Sequence, residues 1–343
     1  MGTGMEINGL LVVDKPEGAT SLEVVKGIKR RFRVKKAGHI GTLDPFASGV
    51  LPVALNEGTR MVPFLLDEPK EYEAVVKLGE ETSTDDPTGE VISRKPWGDV
   101  TGEQIQAVVQ SFRGKIRQIP PMFSAVKMGG KPLYQLARKG IEIERKEREV
   151  EIFDLRITGV DFPRISFRVS CSKGTYVRTL GKDMGKKVGC GAHLVQLRRV
   201  QSGLFSLDQA IPWEKVKDLP AWTDFQPWVI SPRDALFNLA EVVADEGMVK
   251  KVRFGMGIKV RDLSSITLPP FDKGAWLRMC SSQEELIAIL KSEVKDTDIQ
   301  RASPEGIVFR PLRVFRQRGT AEGGMYGACS GEEERDYHAV QNP

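Results

Sequence analysis

The chain has 343 residues, 40% of them hydrophobic, and carries 51 Lys and Arg against 46 Asp and Glu. This is enough apolar material for one large domain and a smaller one, and no apolar run approaches the 18 or more residues of a membrane span. The charge is uneven: residues 101–200 hold 20 Lys and Arg against 9 Asp and Glu, whereas 213–343 hold 18 against 20, a distribution that fits a phosphate-binding surface or simply a lysine-rich solvated face.

Met1 to Asn8 has neither a basic start nor an apolar core, so no secretory signal is expected there. Gly9–Val13 is an apolar run that predicts a buried strand leaving into a turn at Asp14-Lys15-Pro16. Thr20-Ser21-Leu22-Glu23 has the capping-box pattern, and Val24, Val25, Ile28 and Phe32 follow at helical spacing. The cations after it, Lys29 to Lys36, suit a helix C-terminus or RNA phosphates equally.

Next comes Gly38-His39-Ile40-Gly41-Thr42-Leu43-Asp44-Pro45-Phe46-Ala47-Ser48-Gly49, which holds one carboxylate among Gly, Pro and apolar residues. Asp-Pro flanked by glycines predicts a sharp loop. A lone acid in such a loop either bonds its own backbone in a turn or is a positioned nucleophile or base.

Glu71–Leu78 predicts a strand, 79–89 a polar loop, and Thr101–Phe112 a helix. Gln118–Gly140 is irregular and rich in Pro, Gly and Lys, with a short helix expected at Leu133–Arg138. Glu149–Val160 and Arg164–Cys171 alternate as paired strands do, and Tyr176–Val188 predicts a helix after a glycine turn. The strict βαβ alternation of a doubly wound fold is missing, so the class is α+β, with a mixed, largely antiparallel sheet. Ala221–Trp228 reads as a linker. A smaller unit over 231–315 is expected to start with a helix at Pro232–Asn238 and to end in a strand before Phe315. Residues 316–343, rich in Gly, Glu and Ser, are expected to be disordered. The four cysteines are scattered and read as free thiols of a reducing cytoplasm, not as a zinc site.

Several segments in this order resemble the pseudouridine synthases, in particular the bacterial TruB family. They are Asp14-Lys15-Pro16 with Gly18, Thr20 and Ser21; the Asp44 loop; Lys70-Glu71-Tyr72; Gln118 to Ala125; Cys171 to Leu180; and Gly191-Ala192-His193-Leu194 leading to Leu197-Arg198-Arg199. The resemblance runs from about Gly9 to Ala210. It implies a catalytic domain over 1–212, including a mobile RNA-clamping segment at 118–152. It also implies a linker at 213–230 and, more weakly, a PUA-like β-rich RNA-binding domain at 231–315. The implied activity is isomerisation of uridine 55 in the T-loop of tRNA. It implies no metal, cofactor, membrane or guide RNA, and the chain is expected to act as a cytoplasmic monomer.

In that family pattern Asp44 is the covalent nucleophile and Arg178 the cation that keeps it ionised. Tyr72 stacks on the target base, with a part in proton transfer as a lesser expectation. Tyr176 and Leu197 line the uridine pocket. His39 fills the place vacated by the extruded base. Asp86, Lys127, Lys131 and Arg138 are expected to touch RNA, although the glutamates interleaved around 142–149 point to local ion pairs as well. Lys15 and Pro16 brace the loop.

Each residue has a plainer reading: Arg178 as a surface helix arginine, Tyr72 and Leu197 as core, His39 as structural. Other chemistries lack their residues. Thr42 stands where a His-x-Gly-His signature needs its second histidine, and Phe46 where an Asp-x-Asp phosphatase needs its second acid. Phe254-Gly255-Met256-Gly257 is too short for a dinucleotide loop. The alternative from another class is a non-catalytic folding helper that binds tRNA.

Overall fold

The computed structural model describes residues 7–315, except 125, 138, 221 and 265, and leaves aside the side chains of Lys127, Lys131, Trp222 and Thr223. Strand β1 (Gly9–Lys15) and strand β2 (Ser48–Leu55) pair antiparallel, and every residue of β2 is buried. That follows from their sequences, which are apolar at consecutive positions and so serve both faces of a sheet. Leu11, Val13, Leu51, Val53 and Leu55 enter one apolar core, while Leu10, Val12, Val50 and Ala54 enter another on the opposite face. Helix α1 (Ser21–Phe32) lies between the two strands in sequence. Thr20 and Glu23 close the capping box, and Val24, Val25, Ile28 and Phe32 are buried against the first core.

The sheet continues with β3 (Lys70–Leu78), β4 (Gly114–Gln118), β5 (Arg148–Asp161), β6 (Arg164–Cys171), β7 (Ala192–Ser202) and β8 (Ile211–Pro212). Its strand order is β8-β1-β2-β7-β3-β6-β5-β4, parallel at β8/β1 and β2/β7 and antiparallel elsewhere. The mixed, largely antiparallel α+β class is therefore the observed one. Helices α2 (Gly102–Gln110) and α3 (Val177–Val188) cover one face. The late strand β7 sits in the centre, between β2 and β3. This topology matters for the site, because it lays Arg199 across from Tyr72 on one side and Gly49 on the other.

Residues 213–230 pack tightly for a segment read as a linker. Trp213 lies against Gly27 of α1, where a Cβ would come within 2.5 Å of its ring, and Phe225 is fully buried and stacked on Phe32 with centroids 4.0 Å apart. The helix expected at Pro232–Asn238 is reduced to one 3-10 turn, Asp234–Leu236. There the Ser231 hydroxyl accepts from the Asp234 N–H, and two buried side chains, Ala235 and Leu236, set its length.

Beyond it, strands Ala240–Ala244, Ile258–Lys259, Trp276–Ser281, Leu286–Ser292 and Ile307–Val314 form a second, five-stranded sheet around its own core. This sheet also leans on the first. Cys280, Leu286, Ile289 and Phe315 share a core with Leu10, Val12, Met61 and Leu65. The 316–343 tail and Cys329 lie outside the described residues; Cys171, Cys190 and Cys280 are free and buried. Among the described residues no helix is long and apolar enough to cross a membrane.

Candidate active site

Asp44 sits where β1, α1 and β2 converge. Its carbonyl accepts from the Ala47 N–H at 3.1 Å, so Asp44-Pro45-Phe46-Ala47 is a tight turn. The loop is pinned from below. The Ser21 hydroxyl donates to the Leu43 carbonyl and accepts from the Leu43 N–H, both at 2.9 Å. The Gly18 N–H donates to the Pro45 carbonyl at 2.8 Å. Lys15, fully buried, donates to the carbonyls of Pro16 and Ala19 at 2.8 and 2.7 Å, and burial lowers its pKa to about 8.

The Asp44 side chain is thus free for another partner, and that partner is Arg178. The Arg178 Nε lies 2.8 Å from Asp44 Oδ2, in a side chain only 3% exposed. Arg178 occupies the first turn of α3, two residues after Tyr176 at the N-cap. Its remaining donors reach the carbonyls of Thr84 (2.9 Å) and Phe123 (2.7 Å), and the Asp86 carboxylate (3.4 Å). A guanidinium so fully engaged has one orientation. Burial raises the Asp44 pKa above the ordinary carboxyl value; Arg178 pulls it back and the Asp86 charge pushes it further up. One third of the Asp44 side chain is exposed to solvent.

Tyr72, near the start of β3, lies close enough to Asp44 and Arg199 to feel both charges. Burial raises the Tyr72 pKa, so the phenol stays neutral well above physiological pH. Tyr176 is fixed by Gln118, which accepts from the Tyr176 N–H at 3.0 Å and donates to its carbonyl at 3.2 Å. His39 is held neutral, its pKa lowered to about 4 by burial and by Arg199, and its Nδ1 is buried without a hydrogen-bond partner among the described residues. The described residues contain no group of three or more His, Cys, Asp or Glu arranged to hold a metal ion.

A carboxylate held by a buried guanidinium, beside a neutral phenol and partly exposed, can in its ionised form attack an electrophilic carbon. Residues 29–177 match the N-terminal domain of the TruB family pseudouridylate synthases, and residues 178–237 match the C-terminal domain of tRNA pseudouridylate synthase B. The chain is 48% identical to tRNA pseudouridine synthase B of Geobacter sulfurreducens over 250 residues, which is 73% of this chain and 82% of the relative. With the same protein of Syntrophus aciditrophicus it shares 38% over 91% of this chain and the whole of the relative. The chain belongs to the TruB family of pseudouridine synthases.

Among solved structures, an archaeal box H/ACA sRNP Nop10–Cbf5 complex matches with a TM-score of 0.67 at 28% identity, covering 90% of this chain and 86% of that one. A Cbf5–Nop10–Gar1 complex matches at 0.68 and 28%, covering 92% and 91%.

Within this TruB fold, Arg178 pairs with Asp44, Tyr72 and Tyr176 lie close enough to feel the Asp44 charge, and His39 lies close enough to feel that of Arg199. Leu197 is buried in the first core on β7, opposite Ala74 and two residues before Arg199. Asp86 differs from the expectation of an RNA-facing acid. It is 5% exposed, and its Oδ1 accepts from the Thr84 hydroxyl and from the N–H and hydroxyl of Thr88. Facing inward, it anchors the 83–89 turn and Arg178. Lys127 and Lys131 lie on the two strands of a short hairpin, and Arg138 lies outside the described residues. Two residues were not singled out from sequence: Gln118 and Arg199. Both are buried polar residues, and their only signal was position within matching motifs.

Proposed function

We propose that this chain isomerises uridine 55 in the T-loop of tRNA to pseudouridine, with Asp44 as covalent nucleophile. The observation that carries this reading is the Asp44–Arg178 ion pair at 2.8 Å, with one third of the Asp44 side chain exposed and Tyr72 close enough to feel its charge. Relatives of 37–48% identity named tRNA pseudouridine synthase B support tRNA as the substrate.

The target base leaves its stack and enters the cleft, at a cost of a few kcal/mol. His39, neutral, fills the vacated place. The Asp44 carboxylate attacks, the bond between N1 and the sugar breaks with its electron pair going to the base, and the base turns. Asp44 then leaves the carbon it attacked, taking the electron pair of that bond, C5 bonds to the sugar carbon and loses its proton, and N1 gains one, so the product is an isomer and the enzyme is regenerated. Arg178 keeps enough of Asp44 ionised at neutral pH to attack, against the upward push of burial. Tyr72 supplies a flat, neutral ring for the base to rest on. The 118–152 segment clamps the T-arm, with Lys127, Lys131 and Arg138 meeting phosphates, and the 231–315 unit is a PUA-like RNA contact. The protein acts alone in the cytoplasm, as a monomer and without guide RNA.

The test uses the full chain with tRNA transcripts tritiated at C5 of uridine. Tritium release from the parent transcript, and its loss when uridine 55 is replaced by cytidine, is the expected result. Equal release from both transcripts contradicts the position, and tight binding with no release from either favours the folding-helper alternative.

A further inference from the structure

Arg199 is among the largest fully buried side chains of the protein, 1% exposed. Most buried arginines meet a carboxylate, because an uncompensated charge in the interior costs several kcal/mol. Arg199 makes no ion pair with an acid among the described residues. Its donors go to main-chain oxygens instead: Nε to Val50 at 2.7 Å, Nη2 to Gly41 at 3.0 Å and Nη1 to Thr42 at 3.5 Å. Gly41 and Thr42 precede Asp44 and Val50 follows it, so one planar group clasps both arms of the loop that presents the nucleophile.

The fit is close on both sides. A Cβ on Gly41 would come within 3.3 Å of Nη1, and a Cβ on Gly49, whose φ is +106°, would fall 2.1 Å from the Arg199 carbonyl. Tyr72 is the partner of Arg199 on the adjacent strand β3, close enough for its phenol to feel the Arg199 charge. The neutral state of His39 and the lowered pKa of Lys70, about 8, both owe part of their shift to the Arg199 charge after burial, which is how an uncompensated cation acts on its neighbours.

We propose that Arg199 is a positioning residue for the reaction: it locks the loop on both sides of Asp44. This rests on the reading of Asp44 as nucleophile. Arg199 acts through the loop that carries the nucleophile.

The test is Arg199→Lys, with kcat and KM measured on tRNA and Asp44→Asn as a control. Lysine keeps the charge but cannot reach three carbonyls in one plane. Arg199→Lys should lower kcat about a hundredfold, the cost of a small misplacement of reacting groups, with KM within about threefold. A change in KM alone, or parental kcat, would overturn the proposal. Should Arg199→Lys not fold, Gly41→Ala decides, because its Cβ crowds Nη1 and disturbs the same clasp: a loss in kcat at unchanged KM supports the proposal, and parental kcat overturns it. If Asp44→Asn stays active, the nucleophile reading itself fails; if it is inactive while Arg199→Lys keeps parental kcat, only the role of Arg199 fails.

Discussion

Replacing Arg178 by methionine removes the charge and keeps an unbranched side chain of similar length. Arg178 is 3% exposed and serves two carboxylates and two carbonyls. Breaking a fully buried pair costs about 3–5 kcal/mol, mostly from the charge left behind. Two features reduce that here. Asp86 keeps its hydrogen bonds from Thr84 and Thr88, and Asp44 is one-third exposed, so water screens part of its charge. A loss of about 2–3 kcal/mol remains, which lowers Tm by roughly 4–12 °C.

The pH dependence has a definite sign. Asp44 already has a raised pKa in the fold, so its ionisation costs stability as pH rises through that pKa. Without Arg178 the pKa rises further. The stability gap between variant and parent should therefore be widest above the variant's raised Asp44 pKa and should narrow as pH falls through it towards the parent's. The acid limb of kcat/KM should move to higher pH for the same reason. Calorimetry across pH together with tritium-release kinetics measures both. An unmoved acid limb with kcat within tenfold of the parent would refute the role assigned to Arg178.

Phe225→Ala, in the segment that reads as a linker, should cost about 3–5 kcal/mol in urea unfolding, because Phe225 is fully buried against Phe32; a change below about 1 kcal/mol would mean the segment is no part of the core. The core shared by both sheets predicts a single unfolding transition, lowered throughout by about 2–4 kcal/mol in Ile289→Ala; two separate transitions would contradict it. Lys15 and Lys70 have pKa values of about 8 in the fold. Between pH 8 and about 10 the unfolded chain binds protons that the folded chain does not, so stability should rise with pH by at most about 1.4 kcal/mol per unit for each lysine. Lys15→Met with Lys70→Met should remove that slope; an unchanged slope would place its origin elsewhere.

The local grammar of the chain was readable from sequence. The Thr20–Glu23 capping box, the apolar strand at Gly9, the paired alternating strands and the sharp loop at Asp44-Pro45 all depend on neighbours within a few residues, where periodicity and capping carry information. The Asp44, Arg178 and Tyr72 set was legible only through family resemblance, since these residues lie on three distant segments. Asp86 and Arg199 show the limit. Whether an acid faces RNA or an arginine within the fold, and whether an arginine is solvated by water or by carbonyls, depends on contacts across more than 90 residues of chain. The packing of the 213–230 segment was hidden for a similar reason: Trp213 against Gly27 and Phe225 on Phe32 are contacts with a helix far away in the chain.

The most direct trial is Asp44→Asn, which keeps the shape of the side chain and removes its charge. Affinity for unmodified tRNA should stay within a few-fold of the parent while pseudouridine at position 55 falls to background. Continued formation of pseudouridine by that variant would take Asp44 out of the chemistry.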